Sequence, residues 1–119
     1  MVAHVVLYRP RPDAAAEDLS RLVQAISAAA AGIDHVRRFW VGRSVPDPPR
    51  YKIGGFPAFP FCAVIEFDDR AGLQAYLDHE AHGELSRLFN LTTEAALIYD
   101  FEIAEAGGAE TLLGDLLGS

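Results

Sequence analysis

The stretch FCAVIEF, Phe61–Phe67, decides how the rest of the chain is read. Aromatic and β-branched residues dominate it, which is the composition of a strand. Successive side chains of a strand point to opposite faces. Phe61, Ala63, Ile65 and Phe67 therefore share one face, and Cys62 and Val64 the other. Neither face is plainly polar. A strand with one solvated face alternates apolar with polar residues, so this one needs shelter on both sides. The opening stretch AHVVLY, residues 3–8, repeats the pattern, with His4, Val6 and Tyr8 opposed to Val5 and Leu7.

Working outward, Pro10 and Pro12 end the first strand, and Asp13 is expected to cap a helix. Leu19, Leu22, Val23, Ile26, Ala29, Ala30 and Ile33 then recur at helical spacing, with Gly32 as the stop. VRRFWVGRSV, residues 36–45, reads as a second strand. Residues 46–60, PDPPRYKIGGFPAFP, hold five prolines and two glycines, which exclude a regular element. Loops of this length are usually functional or mobile. Tyr51, Phe56 and Phe59 are placed to roof a cavity as a lid, or to pack on a second subunit. After the third strand, Asp68 and Asp69 offer caps for a second helix, whose broad face carries Leu73, Tyr76, Leu77, Ala81, Leu85 and Leu88. AALIYDFEI, residues 95–103, is the fourth strand.

The order β-α-β-β-α-β predicts an α+β, ferredoxin-like domain over residues 1–103, with an antiparallel sheet and both helices on one face. The other apolar face needs another cover, and a second copy of the chain is the simplest. The expectation is a homodimer with sheets packed face to face, closing as a dimeric α/β barrel. Residues 104–119 form a tail in which Leu112, Leu113, Leu116 and Leu117 make one side of a short docking helix, or a frayed end.

The 119 residues suit one domain. Acidic residues outnumber basic ones, 17 to 10, for a charge of -7, which argues against nucleic acid as partner. No run reaches the roughly 18 apolar residues of a membrane span. The start MVAHVV lacks the features of a signal peptide, and the single cysteine, Cys62, forms no internal disulfide. A cytoplasmic setting without membrane or nucleic-acid partner is expected.

YLDHEAHGEL, residues 76–85, carries the chemistry. It puts the phenol of Tyr76 and the imidazoles of His79 and His82 within seven residues. Together with the opening HVVLY and the element order, it resembles the stress-responsive A/B-barrel domain, the Dabb family, over about residues 2–103. That family typically shows a strand beginning with His, and later Y, two residues, H-P-x-H; Glu80 stands here in the proline's place. The resemblance implies a dimeric α+β barrel, and the acid–base chemistry set out below needs no metal or organic cofactor. A plant polyketide cyclase on this fold closes a linear polyketone with a Tyr and a His of the motif. Carried over, these are Tyr76 and His82 as catalytic residues, with His4 in the matching place on the first strand. Phe61 stands where that cyclase has a further histidine, which makes the pocket less polar.

The geometry sets a condition. Six residues of unbroken helix turn Tyr76 and His82 about 120° apart, so both reach one pocket only if the helix bends. The bend must come from His79-Glu80 or from Gly83. If so, neutral His82 removes an acidic carbon-bound proton while Tyr76 donates to the carbonyl oxygen that gains charge. His4, His79, Phe61, Leu77 and Trp40 form the candidate binding set around them for a small apolar or aromatic ligand. His79 and His82 also have a spacing that zinc accepts, but no Cys/His cluster joins them. Three readings stay open: cofactor-free acid–base chemistry such as cyclisation or isomerisation, a binding or stress-associated protein without turnover, and a cofactor-independent oxygenase.

Overall fold

Strand pairing follows the two-faced pattern of the strands. In a computed structural model, which describes residues 1–45 and 59–118, the elements are β1 (Val2–Pro10), α1 (Ala16–Gly32), β2 (Arg38–Arg43), β3 (Phe61–Phe67), α2 (Arg70–Asp78), α3 (Glu80–Thr92) and β4 (Thr93–Glu102). The sheet order is β2-β3-β1-β4, with every pairing antiparallel. This is the expected ferredoxin-like α+β arrangement. No described helix is long and apolar enough to cross a membrane. The tail is a succession of short helical turns between Ala106 and Leu117, among them α4 (Ala109–Leu112), with Leu113 and Leu116 exposed.

The register sorts the side chains into rows across the sheet. On the face toward the helices, Asp100, His4, Ile65 and Phe39 stand side by side, and Ile98, Val6, Ala63 and Val41 form the next row. Ile65 and Phe67 from this face pack with Leu22, Ala29, Tyr76 and Leu88 of the helices into the core. On the opposite face the row is Tyr99, Val5, Val64 and Trp40, flanked by Leu97 and Leu7 on one side and Phe101 and Ala3 on the other. Trp40 is 53% exposed, Tyr99 51% and Phe101 52%. No element of the described chain covers this apolar surface.

Two local expectations change. The α1 cap is Ala15, without a side-chain bond, rather than Asp13. The residues before it are held in a turn, with the Arg11 amide bonded to the Thr92 carbonyl and the Ala14 amide to the Arg11 carbonyl. Asp69, by contrast, does cap α2, its Oδ1 accepting from the Gly72 amide at 2.9 Å. The expected second helix is two helices, broken at His79 and not at Gly83, which lies inside α3. Residues 46–58, including Tyr51 and Phe56 of the expected lid, lie outside the described residues. Phe59 is half-buried, with the Arg9 guanidinium 5.9 Å from its ring centre.

The break has a readable cause. His79 adopts φ -72, ψ 143, so it ends α2, and its Nδ1 accepts from the Ala81 amide at 3.0 Å and starts α3. This side-chain cap does the work that Ser or Asp does elsewhere. Glu80 is the first residue of α3, where proline is well accommodated, and the residue before it already has the extended conformation proline demands. Glu80→Pro is therefore expected to stabilise the fold by about 0.4–1 kcal/mol, since only the unfolded chain loses freedom. Urea unfolding of the variant checks this; a destabilised variant would show that the Glu80 amide or carboxylate is needed.

Candidate active site

The extended turn at His79 re-aims α3. Tyr76 lies in the last turn of α2 and His82 in the first turn of α3, and their ring centres lie 4.7 Å apart. His4, on the central strand β1, comes within 5.9 Å of the same Tyr76 ring, and Phe67 within 5.2 Å. The three polar rings line a cavity of about 370 Å³. Its floor is the inner face of the sheet, including Val6, Ala63, Ile65 and Ile98; its walls are α1, through Leu22 and Ile26, and α3. That volume lies at the small end of the roughly 300–1,000 Å³ of ligand sites.

Burial tunes the groups at the polar end. Tyr76 is 2% exposed. Its removal from water pushes the hydroxyl up to about 12. It therefore stays a proton donor throughout the working range. His82 is held below its ordinary value, first by desolvation and then by the neighbouring His4; the Leu77 backbone partly offsets this. A depressed imidazole is neutral at pH 7 and carries a lone pair, as a general base requires. His4 Nδ1 lies 2.6 Å from Asp100 Oδ1. Asp100 accepts the Nδ1 proton of His4, which fixes the ring and leaves Nε2 as the ring nitrogen not bonded to the carboxylate.

The structure places the remaining candidates differently. Leu77 lines the cavity beside Tyr76, but His79, Phe61 and Trp40 do not. The His79 ring is turned to the α3 amides as a cap. Phe61 stacks on Tyr8 at 5.7 Å, a row further along the sheet. Trp40 stands on the opposite face, its indole N–H donating to Glu66. Among the described residues, no three His, Cys, Asp or Glu side chains cluster as metal ligands do. Arg37, one of three arginines near β2, is paired with Asp68 at 2.9 Å.

Asp100 was not among the expected site residues. Its signal was present as an acid that strand alternation puts on the same side as Ile98, with Glu102 next in that row. Ser86 and Asn90, which follow His82 at intervals of four residues, also face the cavity. A more polar hollow between α2 and the edge of β4 is lined by Arg70, Gln74 and Glu102, and shares Leu77 and Asp100 with the first.

Comparisons agree with this architecture. A dimeric ferredoxin-like protein of unknown function from Thermobifida fusca is similar in structure, with TM-score 0.68 and 19% identity, over 86% of this chain and 90% of that one. A Dabb family protein from Mesorhizobium loti matches with TM-score 0.66 and 21% identity, over 87% and 96% of the two chains. Hydroxynitrile lyase from Passiflora edulis matches with TM-score 0.73 and 13% identity, over 88% and 94%. At these identities the likeness establishes the fold. A search of curated proteins by sequence found no match. The model of the stress responsive A/B barrel domain, however, matches residues 2–103. With β1, the sheet order and the Tyr76–His82 break all inside that span, the chain belongs to the stress-responsive A/B barrel (Dabb) family.

Proposed function

We propose that the chain is a cofactor-free acid–base catalyst acting on a small carbonyl compound, as a homodimer. The observation that carries the reading is the pairing of a depressed His82 with a buried, protonated Tyr76 across 4.7 Å on the wall of an apolar cavity. His82 takes a proton from carbon next to a carbonyl. The C–H electron pair moves into the enolate, and its oxygen accepts from the Tyr76 hydroxyl. The His82 imidazolium then returns the proton to carbon, or the enolate carbon attacks a second carbonyl of the same molecule and closes a ring, the attacked carbonyl's oxygen taking the proton from the imidazolium. His4, fixed by Asp100, offers a second imidazole nitrogen to the substrate oxygen or to a water beside it. The bare apolar face opposite the helices supports the dimer, since several large side chains would otherwise stand in water.

The test is solvent deuterium exchange at the methylene between the carbonyls of hexanoylacetone, followed by NMR. The chain is expected to accelerate exchange above buffer alone. The pH profile has a worked sign. Because the folded His82 lies below 6.5, it is mostly neutral at that pH, and the midpoint of the acid limb falls below 6.5. Because Tyr76 lies near 12, no loss is expected as pH rises through 10.0, the ordinary value of a tyrosine. Exchange equal to buffer at every pH would overturn the catalytic reading and leave a binding protein. An acid limb centred above 6.5 would remove His82 as the base.

A further inference from the structure

The α3 face that carries His82 continues as a polar stripe that the acid–base step does not use. His82, Ser86 and Asn90 are spaced by four residues, and all three line the cavity. Each interval advances about 6 Å along a helix, with a drift of about 40°, so the stripe runs about 12 Å from the reacting end. Ser86 is half-buried and Asn90 is exposed. Among the described residues neither side chain has a hydrogen-bond partner. Thr92, on the same helix, instead spends its hydroxyl on the Leu88 carbonyl at 2.8 Å. Around the stripe the lining is apolar, through Leu85, Phe89 and Ile26, and among the described residues no arginine faces the cavity.

A hydroxyl and a carboxamide without protein partners, on the wall of an apolar cavity, have donors and acceptors to give to a bound molecule. Ser86 and Asn90 are themselves uncharged, and a hydroxyl and a carboxamide pair naturally with a neutral oxygen group. We infer that Ser86 and Asn90 form a subsite for a neutral oxygen substituent on the substrate, a hydroxyl or keto group about 6 Å or more from the carbonyl held at Tyr76 and His82. The substrate class is then an oxygenated chain or ring with polar atoms at both ends, rather than a carbonyl compound ending in an alkyl tail. This inference rests on the proposed reading of the Tyr76–His82 end for which group is the reacting one. The subsite itself is tested by binding.

The experiment compares two ligands of equal size, hexanoylacetone and its analogue with hydroxyl in place of the terminal methyl of the hexanoyl chain. Their dissociation constants are measured by titration calorimetry. The wild type is expected to bind the hydroxylated ligand about fivefold to tenfold tighter, the worth of one net hydrogen bond. Ser86→Ala, a change that favours the helix, is expected to erase that preference. Ser86→Ala with Asn90→Leu is expected to reverse it toward hexanoylacetone. A wild type that binds both ligands equally, an unchanged ratio in Ser86→Ala, or failure to bind either ligand would overturn the subsite. Deuterium exchange separates the two ideas. Discrimination without exchange keeps the subsite and removes the catalysis; exchange without discrimination does the reverse.

Discussion

His82→Ala is expected to lower the enzyme-catalysed exchange of hexanoylacetone by about 10²–10⁴-fold, the usual contribution of a positioned general base. The size follows from the site. His82 stands beside Tyr76 on the cavity wall, and burial keeps its ring neutral when the reaction needs a base. Alanine loses no helix propensity at that position, so α3 should persist. A stability measurement on the variant separates lost chemistry from lost structure. Tyr76→Phe removes only the hydroxyl. It is expected to slow the step by about 10–10³-fold, since the enolate oxygen loses a preorganised donor. If exchange were undiminished in His82→Ala and abolished in His4→Ala, the base would be the His4–Asp100 pair. If neither mattered, the cavity would bind and not react.

Tyr99→Asp is expected to convert a dimer at micromolar concentration into a monomer, with the dissociation constant raised at least about a thousandfold. The residue stands in the row Tyr99–Val5–Val64–Trp40 on the face that the helices leave bare. Its side chain is half in solvent in a single chain, so the folded monomer tolerates the carboxylate. In a face-to-face dimer the same carboxylate appears twice and is stripped of water without a partner cation. Sedimentation equilibrium of wild type and variant reads the effect directly. A wild type that is already monomeric would refute the dimer, and the exposed aromatics would then need another partner.

Much of the fold was legible because its elements are locally consistent. β3 runs over Phe61–Phe67 as its composition predicts, and the apolar pattern on its two faces led to the uncovered side of the sheet. β1 runs further than read, to Pro10, because Arg9 and Pro10 pair only with β4 and Pro10 falls at a register shift near the strand's end, where a missing amide matters least. The helix break was legible as a requirement rather than a place. Two side chains six residues apart cannot share a pocket without it, but a histidine acting as its own cap is not a pattern that propensity reports.

The site divides in the same way. Tyr76 and His82 are close in the chain, so one local motif carries both. His4 and Asp100 are separated by nearly the whole domain, and their contact depends on the register of β1 against β4. Register comes from long-range packing, and a shift of one residue would have put Asp100 on the other face. Trp40 was misplaced for the related reason that its strand has large residues on both sides, so alternation alone did not say which side holds the cavity.

A crystal structure of the chain soaked with hexanoylacetone measures the central claim most directly, that the turn at His79 brings phenol and imidazole to one substrate. The expected result is a diketone with one oxygen in hydrogen-bond distance of the Tyr76 hydroxyl and the carbon between its carbonyls facing a His82 ring nitrogen. A continuous helix through His79 with His82 turned away from Tyr76, or a ligand bound elsewhere while this cavity stays closed to it, would contradict the account.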